Sequence, residues 1–207
     1  MKIFGLDSPL YKFITWLWDI IKLSVLWTVF SIPIITVGPA TVAVAYVTNQ
    51  MVEEQEGRIA HTFVREFRNN LKKGIPLGLI ALVCLYAVYL DFQFYQALED
   101  NPIQFLIMGI LAMVIFLMSF IYAFHLMARY ENKLTRTIRN SYDIATKYFG
   151  RTILLILFLA LELVFFFWNL TTMLIGVFVA AGGMSYTVSA FVMKIFYTIE
   201  KEQQTGQ

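Results

Sequence analysis

Glu162 is the residue whose place in this chain most needs a chemical reason. It stands in LFLALELVFFFW, about ten residues into the fifth expected span and near mid-bilayer, in a run from Thr152 to Met193 that carries no other charge. A carboxylate in hydrocarbon is costly and is by default a functional hypothesis. Three roles fit it: a proton or cation site, part of a polar substrate path, or a protonated group making one interhelical hydrogen bond. The other reactive side chains are scattered. His61 and His125 fall in different elements, and Cys84, the single cysteine, lies inside an apolar run where it serves as a small hydrophobe. There is no His/Cys cluster with metal spacing, no GxSxG, no P-loop and no GxGxxG. Nothing assembles a nucleophile, a base and an orienting group, so the expectation is no enzyme, no catalytic residue, no metal and no cofactor.

The elements that must position Glu162 are set by composition. Hydrophobic residues make up 59% of the chain and charged residues only 14%, with mean hydropathy +0.68. Soluble domains carry about a quarter charged residues, because a water-facing surface has to be covered. Lipid must therefore solvate most of this surface, and the expected fold is an all-α polytopic transmembrane helix bundle. The net charge of +2 argues against nucleic acid as a partner. The N-terminal stretch MKIFGLDSPLYKF lacks a basic region followed by an apolar core and a small-residue cleavage site, and reads as retained.

Uncharged runs mark the spans: Leu23 to Val52, Gly74 to Leu90, Asn101 to Ala128, and the long run from Thr152 to Met193. The last is 42 residues, twice what one crossing needs, and must turn near Asn169 to Thr172. Lys and Arg number 5 in residues 52–73, none in 91–102 and 6 in 128–151. The positive-inside rule puts the two basic loops in the cytoplasm, DFQFYQALEDNP outside and the C-terminus inside. Two crossings before residue 52 would keep Lys2, Lys12 and Lys22 inside as well. Six spans follow, at about 8–31, 39–54, 74–95, 103–128, 150–170 and 173–197, with both termini cytoplasmic. Pro33, Gly38 and Pro39 would make the outer turn, and Ser8-Pro9 would start the first helix. Five spans, with 33–39 as a kink or re-entrant break, is the alternative.

Both basic loops have the pattern of an amphipathic helix, over about 58–72 and 133–147. Ile59, Phe63, Phe67 and Leu71 recur every four residues against Arg58, Arg65, Arg68 and Lys72. Leu134, Ile138, Tyr142 and Ala145 do the same against Lys133, Arg136, Arg139 and Lys147. These faces would dock a partner or lie on the inner leaflet. An offset of 75 aligns the two helices and suggests an internal repeat. In the last span Gly176, Ala180, Ala181, Ser185 and Ser189 form a row of small residues suited to close helix packing, as do Gly74 and Gly78, while Gly182-Gly183 offers a hinge. His125, near the inner end of its span, reads as an interfacial polar residue. Trp16, Trp18, Tyr86, Tyr89, Phe92, Phe94, Tyr95 and Tyr130 cluster near the expected water boundaries and read as an interfacial girdle.

The stretch PIITVGPATVAVAYV, then EEQEG, then FVREFRNNLKKG resembles the YesL family of bacterial membrane proteins. Pro33, Thr36, Gly38, Pro39 and Ala40 carry the resemblance, with Glu56-Gly57, Phe63, Phe67, Asn70 and Lys72. It implies a multi-pass protein of the bacterial cell membrane with an accessory role in carbohydrate uptake, beside sugar ABC-transporter permease subunits. It supplies no catalytic residue.

Overall fold

The computed structural model describes residues 9–55, 57–97 and 103–205. Ser8, Glu56 and residues 98–102 of the outer loop expected over 91–102 therefore lie outside the described residues, while 91–97 are helical. Nine α-helices follow one another among them: α1 (Pro9–Phe30), α2 (Val37–Val52), α3 (Ile59–Asn69), α4 (Leu71–Ala97), α5 (Ile103–Phe120), α6 (Ala123–Arg129), α7 (Leu134–Lys147), α8 (Phe149–Phe167) and α9 (Leu170–Thr205). The fold is an all-α bundle. Five helical segments are long and apolar enough to cross a membrane: Pro9–Phe30, Leu71–Ala97, Ile103–Arg129, Phe149–Phe167 and Leu170–Glu202. This is the length and hydropathy of a multi-pass membrane protein.

The second of the six expected spans, over 39–54, is α2, and it differs in kind. At 16 residues it is about 24 Å long, less than a hydrocarbon core of about 30 Å. Ten of its residues are buried, and it packs against α1, α3, α4, α6 and α9. It is the hub of the bundle. α1 runs antiparallel to α9, with Ser24 and Ile20 against Gly182 and Trp16 against Tyr186. α2 and α6 run parallel to α9, since Thr48 and His125 meet Ser185 while Glu53 and Arg129 reach Tyr197 and Glu200. α4 lies along α5 and α8 along α9, as two hairpins that do not pack along each other.

The motif at 33–40 has a clear physical reading. A short 3-10 turn over Ile34–Thr36 joins α1 to α2. Thr36 Oγ1 lies 2.7 Å from the carbonyls of both Phe30 and Pro33, and so ties the end of α1 to the turn. Pro39 falls in the first turn of α2, where a missing N–H costs little. Gly38 and Pro39 are thus already helical, and Gly38 has no positive φ. Gly38 is required by contact: a Cβ there would run into Gly74 O, and one on Gly78 would stand 2.6 Å from Gly38 Cα. Backbone meets backbone where α2 crosses α4, the geometry small residues permit. Ala40 is fully buried beside Leu23.

Two other expectations are corrected. The span expected over 103–128 is broken at Tyr122, and the cause is a side chain from α7. Ser141 Oγ lies 3.3 Å from both Tyr122 N and Met118 O, bridging a donor and an acceptor that a regular helix would join directly. Gly182-Gly183 is no hinge here, because α9 is continuous through it. Gly182 instead admits α1: a Cβ would stand 2.7 Å from Ile20 O. The turn expected at 169–172 is present and capped, with Asn169 Oδ1 accepting from Thr172 N at 2.9 Å.

Candidate functional site

The polar side chains of the bundle interior converge between α2, α6 and α9. Thr48 Oγ1 and Ser185 Oγ are 2.9 Å apart, Ser189 Oγ donates to Thr48 Oγ1 at 2.8 Å and to Asn49 Oδ1 at 2.9 Å, and His125 Nε2 lies 3.2 Å from Ser185 O. Thr48, Asn49, Ser189 and His125 are all buried. Facing a carbonyl, Nε2 carries the ring proton, which leaves Nδ1 as a buried acceptor with no donor among the described residues. His125 is therefore an interior group rather than the interfacial one expected. Deeper in α9, Gly182 N donates to Ser24 Oγ at 2.9 Å and brings α1 into the same seam.

One turn further along α2 and α6, and two to three turns further along α9, the seam ends in charges. Arg129 donates to Glu53 at 2.8 Å and to Glu200 at 3.0 and 3.3 Å. Tyr130 donates to Glu200 at 2.6 Å and Tyr197 to Glu53 at 2.9 Å. Both carboxylates thus have a guanidinium and a phenol as partners, and the cluster fastens the ends of α2 and α6 to α9. Burial, and the hydrogen bond to Glu200, push the Tyr130 phenol up to about 12.

Glu162 lies elsewhere. Thr187 Oγ1 donates to Glu162 Oε1, joining α8 to α9. Thr187 is two residues from both Ser185 and Ser189, about 200° around the helix from each, so the carboxyl meets the face of α9 turned away from the seam. Its second oxygen, Oε2, is buried without a partner among the described residues. The structure thus gives Glu162 a hydroxyl partner and separates it from the other interior polar groups.

The expected docking residues divide. On α3, Phe63 is fully buried, with its ring 5.4 Å from that of Phe30 and 6.3 Å from that of Phe67. Phe67 is 4.8 Å from Phe30, and Ile59 packs on the same cluster. This apolar face is occupied inside the chain and is not open to a partner, while Arg65 pairs with Glu66 and Arg68 and Lys72 stay on the surface. Leu71 begins α4 instead of ending α3. On α7 the buried stripe is Thr137, Ser141, Ile144 and Ala145, rotated from the expected one. Ile138 is half-buried, and Arg139 and Tyr142 are exposed. In the small-residue row Gly176 lies against Phe166 of α8, Ala180 and Ala181 are half-buried, and Ser185 and Ser189 serve the seam with their hydroxyls.

The first seam helix, the crossing at Gly38 and the buried α3 all belong to one stretch of sequence, and that stretch has known relatives. Residues 20–92 match the family described as "Protein of unknown function, DUF624". The DUF624 match takes in the second half of α1 and all of α2 and α3, and runs into α4 at Phe92, about a third of the chain. It includes Thr48, Asn49 and Glu53 but none of their partners on α6 and α9. No curated protein and no solved structure matches the chain.

The seam was partly legible. Thr48 and Asn49 open a polar stretch, Thr48-Asn49-Gln50, at the end of a mainly apolar helix, and Ser185 and Ser189 are spaced by four. That spacing signals close packing equally well, and only the placement of α2 and α6 beside α9 turns it into a hydrogen-bonded network. Among the described residues no group of three or more His, Cys, Asp or Glu is arranged to hold a metal ion.

Proposed function

We propose that this chain is a non-enzymatic, YesL-like protein of the bacterial cell membrane that acts as an accessory subunit in carbohydrate uptake by an ABC transporter. The observation that carries the accessory half of the reading is the seam. Its hydroxyls, amide and carbonyl stand 2.8–3.2 Å from one another, spent on mutual hydrogen bonds that leave no width for a solute between them. Such an interior holds helices together. The carbohydrate half rests on the sequence resemblance through Pro33, Thr36, Gly38, Pro39 and Ala40, which is an argument by association. Apolar faces on the α4–α5 and α8–α9 hairpins supply surface for another membrane subunit.

The test is an affinity pull-down of the tagged chain from its native membrane in mild detergent. Permease and sugar-binding subunits recovered in fixed proportion support the reading. Recovery of the chain alone, under conditions that keep the permease intact, overturns it.

The unpartnered Oε2 of Glu162 favours a second reading, an autonomous transporter of a small solute. Loss of solute flux in liposomes for Glu162→Gln, with folding preserved, supports that reading; equal flux, or none in either protein, removes it.

A further inference from the structure

From the junction of α7 with α4 we infer a binding site for one anionic phospholipid. A groove of about 460 Å³ runs between the two helices, lined by Ile80 of α4 and by Leu134, Thr135, Ile138, Arg139 and Tyr142 of α7. The surface of its walls is mostly apolar, and Ile80 belongs to a helix long and apolar enough to span the membrane. An acyl chain is the occupant that mainly apolar walls accept at that depth.

The rim selects the headgroup. The Arg139 side chain is 83% exposed, and its nearest acid, Asp143, stands 4.0 Å away, itself 62% exposed. An ion pair that long between solvated groups contributes little and leaves the guanidinium free to exchange partners. Tyr142, exposed as well, follows Arg139 by three residues and so lies next to it on the helix surface. Lys73, also exposed, precedes Ile80 by seven residues, which places it on the same face of α4 about 10 Å along the helix. A phosphodiester over Arg139, with its chain along Ile80, Leu134 and Ile138, satisfies both parts of the groove. A zwitterionic lipid would bring a cation to the same basic rim, so the site prefers a net negative headgroup. A guanidinium also suits phosphate better than an ammonium does, through paired N–H donors.

The test is native mass spectrometry of the purified full chain in detergent, with phosphatidylglycerol and phosphatidylcholine of identical acyl chains at equal concentration. The expected result is a phosphatidylglycerol adduct in excess by about fivefold, the factor a basic residue near an anionic lipid contributes. Arg139→Gln, at an exposed position that leaves the fold intact, brings the ratio near one. Ile80→Trp, which fills the groove, lowers both adducts. Equal adducts in the unaltered chain, or an unchanged preference in Arg139→Gln, overturn the proposal. Displacement of the adduct by millimolar inorganic phosphate also overturns it, because the site would then bind the anion alone. A co-purified protein subunit that covers Tyr142 and excludes lipid overturns it in favour of a protein interface.

Discussion

The helices α3 and α7 were written to one pattern and are used in two ways. Each follows a helix of the bundle, carries an apolar row against a basic one, and leads within two residues into a long span. The offset of 75 sets Thr62 against Thr137, both buried, and Phe63 against Ile138. There the likeness ends. α3 puts two rings, Phe63 and Phe67, against Phe30 of α1, in one cluster with α2. α7 is held by hydroxyls and small side chains: Ser141 enters the break between α5 and α6, while Ile144 and Ala145 join the cluster around Val192 and Phe196. The companion helix makes the difference. α2 has 16 residues and offers α3 a full flank, whereas α6 has only 7, so α7 crosses α5 instead and leaves Tyr142 and Arg139 outside. An amphipathic stripe specifies that a face will be covered; the neighbour's length specifies which residues of it are.

This contrast can be broken at four points. The largest effect is expected from Phe63→Ala, which empties a closed aromatic cluster and costs about 3–5 kcal/mol; thermal unfolding in detergent reads it, and a loss as small as that of Ile138→Ala would erase the distinction between the helices. Ser141→Ala comes next, at about 1–3 kcal/mol, because Tyr122 N and Met118 O lose their bridging partner inside the bundle. If that variant instead gained stability, the break at Tyr122 would be a strain imposed by α7 and not an accommodation of it.

The third point is pH. The neutral Tyr130 phenol donates to Glu200, and its folded value is raised to about 12 from an ordinary 10. A raised value means that the contribution is fully present below pH 10 and is lost as pH climbs through about 12. Unfolding temperature should therefore fall over that window in the unaltered chain, and fall less in Tyr130→Phe, which has no proton to lose. A parallel fall in both would move the alkaline sensitivity to another group. The smallest effect belongs to Arg139→Gln on α7, within about 0.5 kcal/mol in stability, since its partner is distant and solvated. A larger loss would show that α7 relies on its basic face as α3 relies on its rings.

Much of this molecule follows from the sequence read alone. The apolar runs dictate long helices because a backbone in lipid must satisfy its own hydrogen bonds, and the reversals at 31–36 and at Asn169 follow from Pro and from a capping side chain whose effects are local. The two amphipathic helices follow from spacing for the same reason: a four-residue recurrence is a property of the chain and needs no neighbour. Tertiary structure decided everything that depends on which helix stands beside which. It made Gly38 a point of backbone contact with Gly74 and Gly78 instead of a turn residue. It broke the fourth span with a hydroxyl from 19 residues on, and it set Ser185 against Thr48, 137 residues away. It also gave Glu162 a partner on the far face of α9. Each of these joins residues from different helices, and in lipid no strong hydrophobic force selects one pairing over another. Close approach of small residues and a few hydrogen bonds make that selection, and their partners are not written in the local sequence.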